Sequence, residues 1–311
     1  MQQEVTREQT WQQGESPLTP RWAILPGTSM LGLLLVALAW VVSWGQLQPF
    51  SQFYFFPIWI GYILFVDGVV LKRRGTSLLD QGTGQFVALF AISAVCWWVF
   101  EGLNLPVQNW VYHGVSQYTS VEFTAFATLP FSTVLPAVLE TATLVGSFVP
   151  ASRYRVLANA QPSRRLVTGL VVLGVSTFLA PWIWPKVMYP FVWSSLIFVV
   201  EPINWLSGRP SIFRLMRSGR IAMLCTLFAG GITCGFFWEM WNYYSYPKWS
   251  YVLPGITAPK LFEMPLPGYL GYLPFSIELY AAYNAVLLLT RRTSSFERVM
   301  QLPRRTRAQG T

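Results

Sequence analysis

Ionisable side chains are scarce in this sequence: of 311 residues, 11% are Asp, Glu, Lys or Arg, and a single histidine, His113, is present. One histidine leaves no basis for a histidine metal site or a Ser–His pair. The three cysteines, Cys96, Cys225 and Cys234, all lie in apolar segments, so neither a disulfide framework nor a thiolate metal site is indicated. No phosphate-cradling glycine loop is present, because Gly82-Thr83-Gly84 and Gly230-Gly231 lack the required context. There is also no paired Asp-rich motif of the kind that holds Mg²⁺ and a diphosphate. Residues 1–21 are polar and lack a basic segment abutting an apolar one, so no cleaved signal peptide is expected. No metal and no cofactor is expected.

What the chain has in quantity is apolar surface. Hydrophobic residues make up 53% of it and the mean hydropathy is +0.41, too apolar for a soluble domain of this length. Uncharged runs of about 20 residues, the length that crosses a bilayer, recur along it. Eight spans are expected, at 27–46, 54–71, 85–104, 123–148, 166–184, 187–207, 221–242 and 268–290. Nineteen of the 22 basic residues fall in the two tails and in the loops after spans two, four and six. The opposite loops hold only Lys186, Lys248 and Lys260. That bias places both termini in the cytoplasm and explains the net charge of +9 without a nucleic-acid partner. The fold class is therefore an all-α polytopic membrane protein, expected in a bacterial plasma membrane.

The spans repeat. Cys96, Glu101 and Asn104 recur 138 residues later as Cys234, Glu239 and Asn242, and Pro136 and Glu140 as Pro274 and Glu278. Trp110 and Tyr112 recur as Trp249 and Tyr251 after one inserted residue, and Trp59 and Asp67 as Trp193 and Glu201 at an offset of 134. Four spans per copy is an even number, so the two units enter from the same side as parallel repeats around a shared axis. The organisation is a tail at 1–21, a membrane unit at 22–149, a linker at 150–165, a second unit at 166–292 and a loose basic tail at 293–311. The loop at 243–267 is too rich in Pro and Gly for a continuous helix, and a partial re-entry into the membrane is considered for it.

Six carboxylates lie within the spans or at their edges: Asp67, Glu101, Glu140, Glu201, Glu239 and Glu278. Each costs about 2.5–3.5 kcal/mol at a helix centre, and no basic residue inside a span pairs with them. They are therefore protonated, hydrogen-bonded or exposed to a water-filled cavity. In Glu-x-x-Asn the two side chains share a helix face, so Asn104 is expected to support Glu101 and Asn242 to support Glu239. A structural role as interhelical hydrogen bonds is the competing explanation. Twelve of the fifteen tryptophans fall toward the outer face, including Trp98, Trp110, Trp238 and Trp249. A two-sided interfacial belt would not be so uneven. An aromatic-walled chamber is expected there, suited to a polyene, a carbocation held by cation–π attraction, a quaternary ammonium or a lipid headgroup.

The order Trp238-Glu239, Trp249-Ser250-Tyr251, Phe262-Glu263-Met264-Pro265 and Gly271-Tyr272-Leu273-Pro274-Phe275 resembles the lycopene cyclase domain of the fused or heterodimeric membrane-bound type. Where that family carries Pro-x-Glu-Glu, this chain has Pro265-Leu266-Pro267-Gly268. The resemblance implies two tandem helical units and metal-free, acid-initiated cyclisation of a linear carotene. Glu239 and Glu278 are then the leading catalytic acids, with Glu101 and Glu140 in the other half. Asn104, Asn242, Trp98, Trp238, Trp110, Trp249, Tyr112, Tyr251, Asp67 and Glu201 are candidates for holding the substrate. The expected partner is a membrane lipid or polyisoprenoid, with self-association left open. A proton-coupled transporter or channel for a small cation or lipophilic solute, and a non-catalytic scaffold, are the alternatives.

Overall fold

A computed structural model describes residues 26–149, 162–217 and 221–301. The expected tail at 1–21, residues 150–161 of the linker and residues 302–311 lie outside the described residues. Among the described residues, eight helical segments are long and apolar enough to cross a membrane, and they coincide with the expected spans to within a few residues.

The first two are single helices, α1 (Gly27–Trp44) and α2 (Phe55–Arg74), joined through a 3-10 turn at Phe50–Phe53. They cross at glycine: a Cβ on Gly32 would lie 2.5 Å from the Gly61 carbonyl oxygen. Two residues without side chains allow a backbone approach that any other pair would block. Helix α3 (Thr83–Val107) follows, and strand β1 (Trp110–His113) leaves its end. The fourth span is two helices, α4 (Ser120–Ser132) and α5 (Val134–Gly146), where the sequence led us to expect one. Pro136 has no N–H to bond back across the junction, and the Thr133 hydroxyl turns onto the Pro130 carbonyl, so the break falls at Thr133.

The second half opens with α6 (Arg164–Ile183), capped by the Ser163 hydroxyl, which accepts from the Leu166 N–H. Its sixth span is assembled from α7 (Pro185–Met188), a 3-10 turn at Tyr189–Trp193 and α8 (Ser195–Leu206). A short α9 (Ile212–Arg217) leads to α10 (Ala222–Tyr243) and strand β2 (Lys248–Tyr251). The Pro-rich stretch that follows contains no helix; it holds the two-residue strands β3 (Lys260–Leu261) and β4 (Met264–Pro265). A 3-10 turn at Leu266–Gly271 then feeds α11 (Tyr272–Leu289).

Strands β1 and β2 pair antiparallel, with Trp110 opposite Tyr251, Val111 opposite Ser250 and Tyr112 opposite Trp249. The ribbon brings the C-terminal ends of α3 and α10 to one face of the bundle. At the centre α5 packs on α10 and α3 packs on α11. Phe275 is fully buried there, ringed by Trp97, Phe100, Trp193 and Trp238 with centroids 5.3–6.1 Å away.

At the opposite face, the tail expected to be loose begins with a packed helix, α12 (Ser295–Gln301). Phe296, Val299 and Met300 bury an i, i+3, i+4 apolar stripe beneath the bundle. The Arg74 guanidinium closes the joint, donating to the carbonyls of Gly146, Val299 and Met300. The carbonyl-rich ends of α5 and α12 meet a cation there, which holds the chain past α11 against the bundle.

Candidate functional site

At the ribbon face the bundle encloses a chamber of about 420 Å³, within the range of about 300–1,000 Å³ usual for small-molecule sites. Its walls are aromatic. Trp97 of α3, Trp110 and Tyr112 of β1, Trp249 and Tyr251 of β2, Trp193, Trp238 of α10 and Tyr272 of α11 all face it. Leu253, Ile256 and Met264 of the Pro-rich stretch close one side. Phe53 and Phe126 line it too, yet are 43% and 41% exposed, so the chamber opens between the turn before α2 and α4. Lys248 is the one charged lining residue among those described, and it is engaged by Glu263.

Two of the predicted carboxylates stand directly behind this wall. Glu101 Oε1 accepts from Trp97 Nε1 at 2.9 Å, Trp110 Nε1 at 3.0 Å and Tyr112 Oη at 2.6 Å. Glu239 Oε1 accepts from Tyr251 Oη and Tyr272 Oη, both at 2.7 Å, and Trp249 Nε1 donates in turn to Tyr251 Oη at 2.9 Å. Neither carboxylate lines the chamber; both communicate with it through a single layer of aromatic donors. The ribbon phenols stay neutral: burial, then the carboxylate each one touches, pushes Tyr112 and Tyr251 well above the ordinary tyrosine range.

The asparagines have a different duty from the one expected. Asn242 grips the backbone of Trp249 on both sides, its Nδ2 donating to the Trp249 carbonyl at 2.8 Å and its Oδ1 accepting the Trp249 N–H at 2.9 Å. Asn104 Nδ2 donates to the Trp110 carbonyl at 2.9 Å, while Oδ1 accepts the Asn109 N–H at 2.7 Å. The Glu-x-x-Asn spacing does put acid and amide on one helix face. But the strand leaving each helix carries unpaired backbone groups, and the amide satisfies those instead. Asn104 and Asn242 therefore aim the ribbon, and the ribbon aims its tyrosines at the acids.

The other carboxylates lie away from the chamber. Asp67 accepts from the Ser77 hydroxyl and the Leu79 N–H, and Glu201 accepts from the Ser211 hydroxyl and the Phe213 N–H. Those partners are again 134 residues apart, a continuation of the repeat that was available in the sequence. Both acids tie down the loops at the face opposite the ribbon. Glu278 Oε1 accepts the Leu196 N–H at 2.9 Å, a free donor because α8 starts at Ser195. The corresponding stretch of α2 is uninterrupted helix and offers no such donor. Glu140 is accordingly buried against the Asp67 carboxyl, with no backbone N–H or hydroxyl donor on either oxygen among the described residues.

Trp98 is not part of the wall: its Nε1 donates to Thr128 Oγ1 and its ring packs on Phe131. Tyr272, Trp97 and Trp193 are chamber residues that were not among the expected site residues. Trp97 stands four residues before Glu101, a same-face spacing that would have flagged it. Tyr272 carries no repeat signal, because Val134 occupies the matching place. His113 does meet a serine, Ser250 Oγ at 2.7 Å across the ribbon, contrary to the expectation of no Ser–His pair. The pair is exposed, and no carboxylate completes it among the described residues. No protein-family model matches this chain, and neither does any curated protein or solved structure.

Proposed function

We propose that the chamber takes one end of an extended polyisoprenoid of the carotene type and carries out acid–base isomerisation or cyclisation on it. The carrying observation is a half-open aromatic chamber backed by two hydrogen-bonded carboxylates. Its rings suit a flat polyene and would stabilise a carbocation through cation–π attraction. A linear carotene is longer than the chamber, so its remainder would leave past Phe53 and Phe126 toward lipid. Glu239 is the acid, working through its tyrosines. The resemblance to the membrane-bound lycopene cyclase domain supports the same assignment. On this view the bundle is a parallel pair of four-span repeats, the ribbon faces outward and both termini are cytoplasmic. The like-sided ends of α3 and α10 and the positive-inside bias support that topology.

The test is pigment analysis of a lycopene-accumulating bacterium expressing the chain or its Glu239→Gln variant. A cyclised product made by the first and lost in the second, with the variant still inserted in the membrane, is expected. Unconverted lycopene co-purifying with both would restrict the protein to binding.

A second function, proton-coupled transport of a lipophilic solute, is favoured by one observation: Glu140 is buried carboxyl to carboxyl against Asp67, with no backbone N–H or hydroxyl donor of its own among the described residues. Such a carboxylate is the usual hardware of proton coupling. Proton-driven uptake into vesicles that disappears in Glu140→Gln/Glu278→Gln would support it, and it becomes the better account if no polyene is bound or converted.

A further inference from the structure

The two acids behind the chamber are related by the repeat but are not held alike. Three donors converge on Glu101, and two of them are indole N–H groups, which donate a hydrogen bond but do not exchange their proton with a carboxylate. Glu239 is held by two phenols, and a phenol can accept a proton as it gives one up. The difference has a structural origin at the 138-residue offset. Trp97 of the first half corresponds to Gly235 of the second, and Val134 to Tyr272. The large donor has moved from one helix to the facing one. A Cβ on Gly235 would lie 2.3 Å from Tyr272 Cδ2, so the glycine is the space that the tyrosine ring occupies.

We propose that the two sites have divided the work: Glu239 with Tyr272 is the proton-transfer pair, and Glu101 is a fixed negative charge that stabilises positive charge in the chamber. This rests on the chamber being the ligand site. Three donors on one oxygen solvate the Glu101 carboxylate against the cost of its burial. Glu239 Oε2 is buried without a partner, so the carboxyl communicates outward only through Oε1 and its phenols. Around Glu239 the remaining titratable groups are Glu263, engaged by Lys248, Tyr54, bonded to Ser245, and Tyr269. None of them bonds to the Glu239 carboxyl.

In the forward step the Tyr272 hydroxyl gives its proton to a ligand carbon, forming a C–H bond from the C=C π pair. Tyr272 takes the Glu239 proton across 2.7 Å and leaves a carboxylate. The cation loses a proton from a neighbouring carbon, that C–H pair becomes a new C=C, and the proton returns through the phenol to Glu239. Nothing is oxidised or reduced, and no co-reactant enters. Glu101 faces the cation through its indole and phenol donors throughout.

Infrared difference spectra of the ligand-free protein in lipid nanodiscs, neutral minus alkaline, test the division directly. The protonated-carboxyl C=O stretch should lose one component in Glu239→Gln and shift in Tyr272→Phe, and should lose none in Glu101→Gln. Loss of a component in Glu101→Gln, or none in Glu239→Gln, overturns the proposal. With lycopene as probe in D₂O, Tyr272→Phe should slow deuterium uptake into the polyene by about 100-fold or more. Lycopene affinity, read by tryptophan quenching, should fall far less than the exchange rate. Equal losses in rate and affinity would overturn the relay role of Tyr272. If the unaltered protein neither binds nor exchanges lycopene, the polyisoprenoid function fails, and the infrared spectra alone decide the division of the acids.

Discussion

An amide that bonds both backbone groups of one residue fixes that residue more firmly than any single contact. Asn242 does this to Trp249, and two residues further along the strand Tyr251 reaches Glu239. Asn242→Ala should leave a buried N–H and carbonyl without partners. Unsatisfied groups of that kind cost about 1–3 kcal/mol each. A lowered melting temperature in nanodiscs, together with loss of the Glu239 infrared component, is the expected result. An unchanged melt would show that water replaces the amide. The importance of Glu-x-x-Asn was legible from its spacing, but the amide's partner was not. Acid and amide share a helix face, whereas the competing acceptor is on a strand whose course depends on the other half of the protein.

Element ends decide more here than element interiors. Where α8 begins late, its first N–H groups are free and Glu278 takes one; where α2 runs on, Glu140 has none. The far end of the bundle depends on α12 in the same way. Glu297 of α12 is bonded by Tyr280 and Gln301, and burial holds its carboxyl above the usual glutamate range, with those two donors opposing the shift. A carboxyl raised in the folded state favours the protonated form. Its contribution is therefore full below the unfolded glutamate pKa, about 4.3, and is lost as pH rises through the raised folded value. Hydrogen-exchange protection at 295–301, taken relative to the intrinsic amide rate at each pH, should fall over that rise, and Glu297→Gln should flatten the dependence. Protection that does not change with pH in the unaltered protein would sink this account. Nothing in the local sequence separates α12 from an ordinary basic tail except the spacing of Phe296, Val299 and Met300.

At the scale of the whole molecule, the β1–β2 ribbon is the link between halves on the chamber side. Val111 and Ser250 are directly opposite, and opposed residues in an antiparallel pair lie about 4.5–5.5 Å apart between Cα atoms, within disulfide reach. In a background lacking the exposed Cys225, Val111→Cys/Ser250→Cys should cross-link on oxidation. A membrane-impermeant thiol reagent added outside intact cells should block the link. Failure to cross-link would mean the ribbon does not form, and a link insensitive to the reagent would place it on the cytoplasmic side.

The sequence by itself determined that eight helices are long and apolar enough to cross a membrane, and where nearly all of them begin and end. Hydropathy is a sum along one helix, and it survives whatever packs beside that helix. The repeat also marked the two acids that stand behind the chamber. Only the tertiary structure decided what each carboxylate touches. The partners of Glu239 come from α11 and β2, those of Glu101 from α3 and β1, and the exchange of Trp97 for Tyr272 is visible only where α10 meets α11. Hydrogen bonding is directional and reaches about 3 Å, so a partner is chosen by how two helices face each other, which no pattern along either one records.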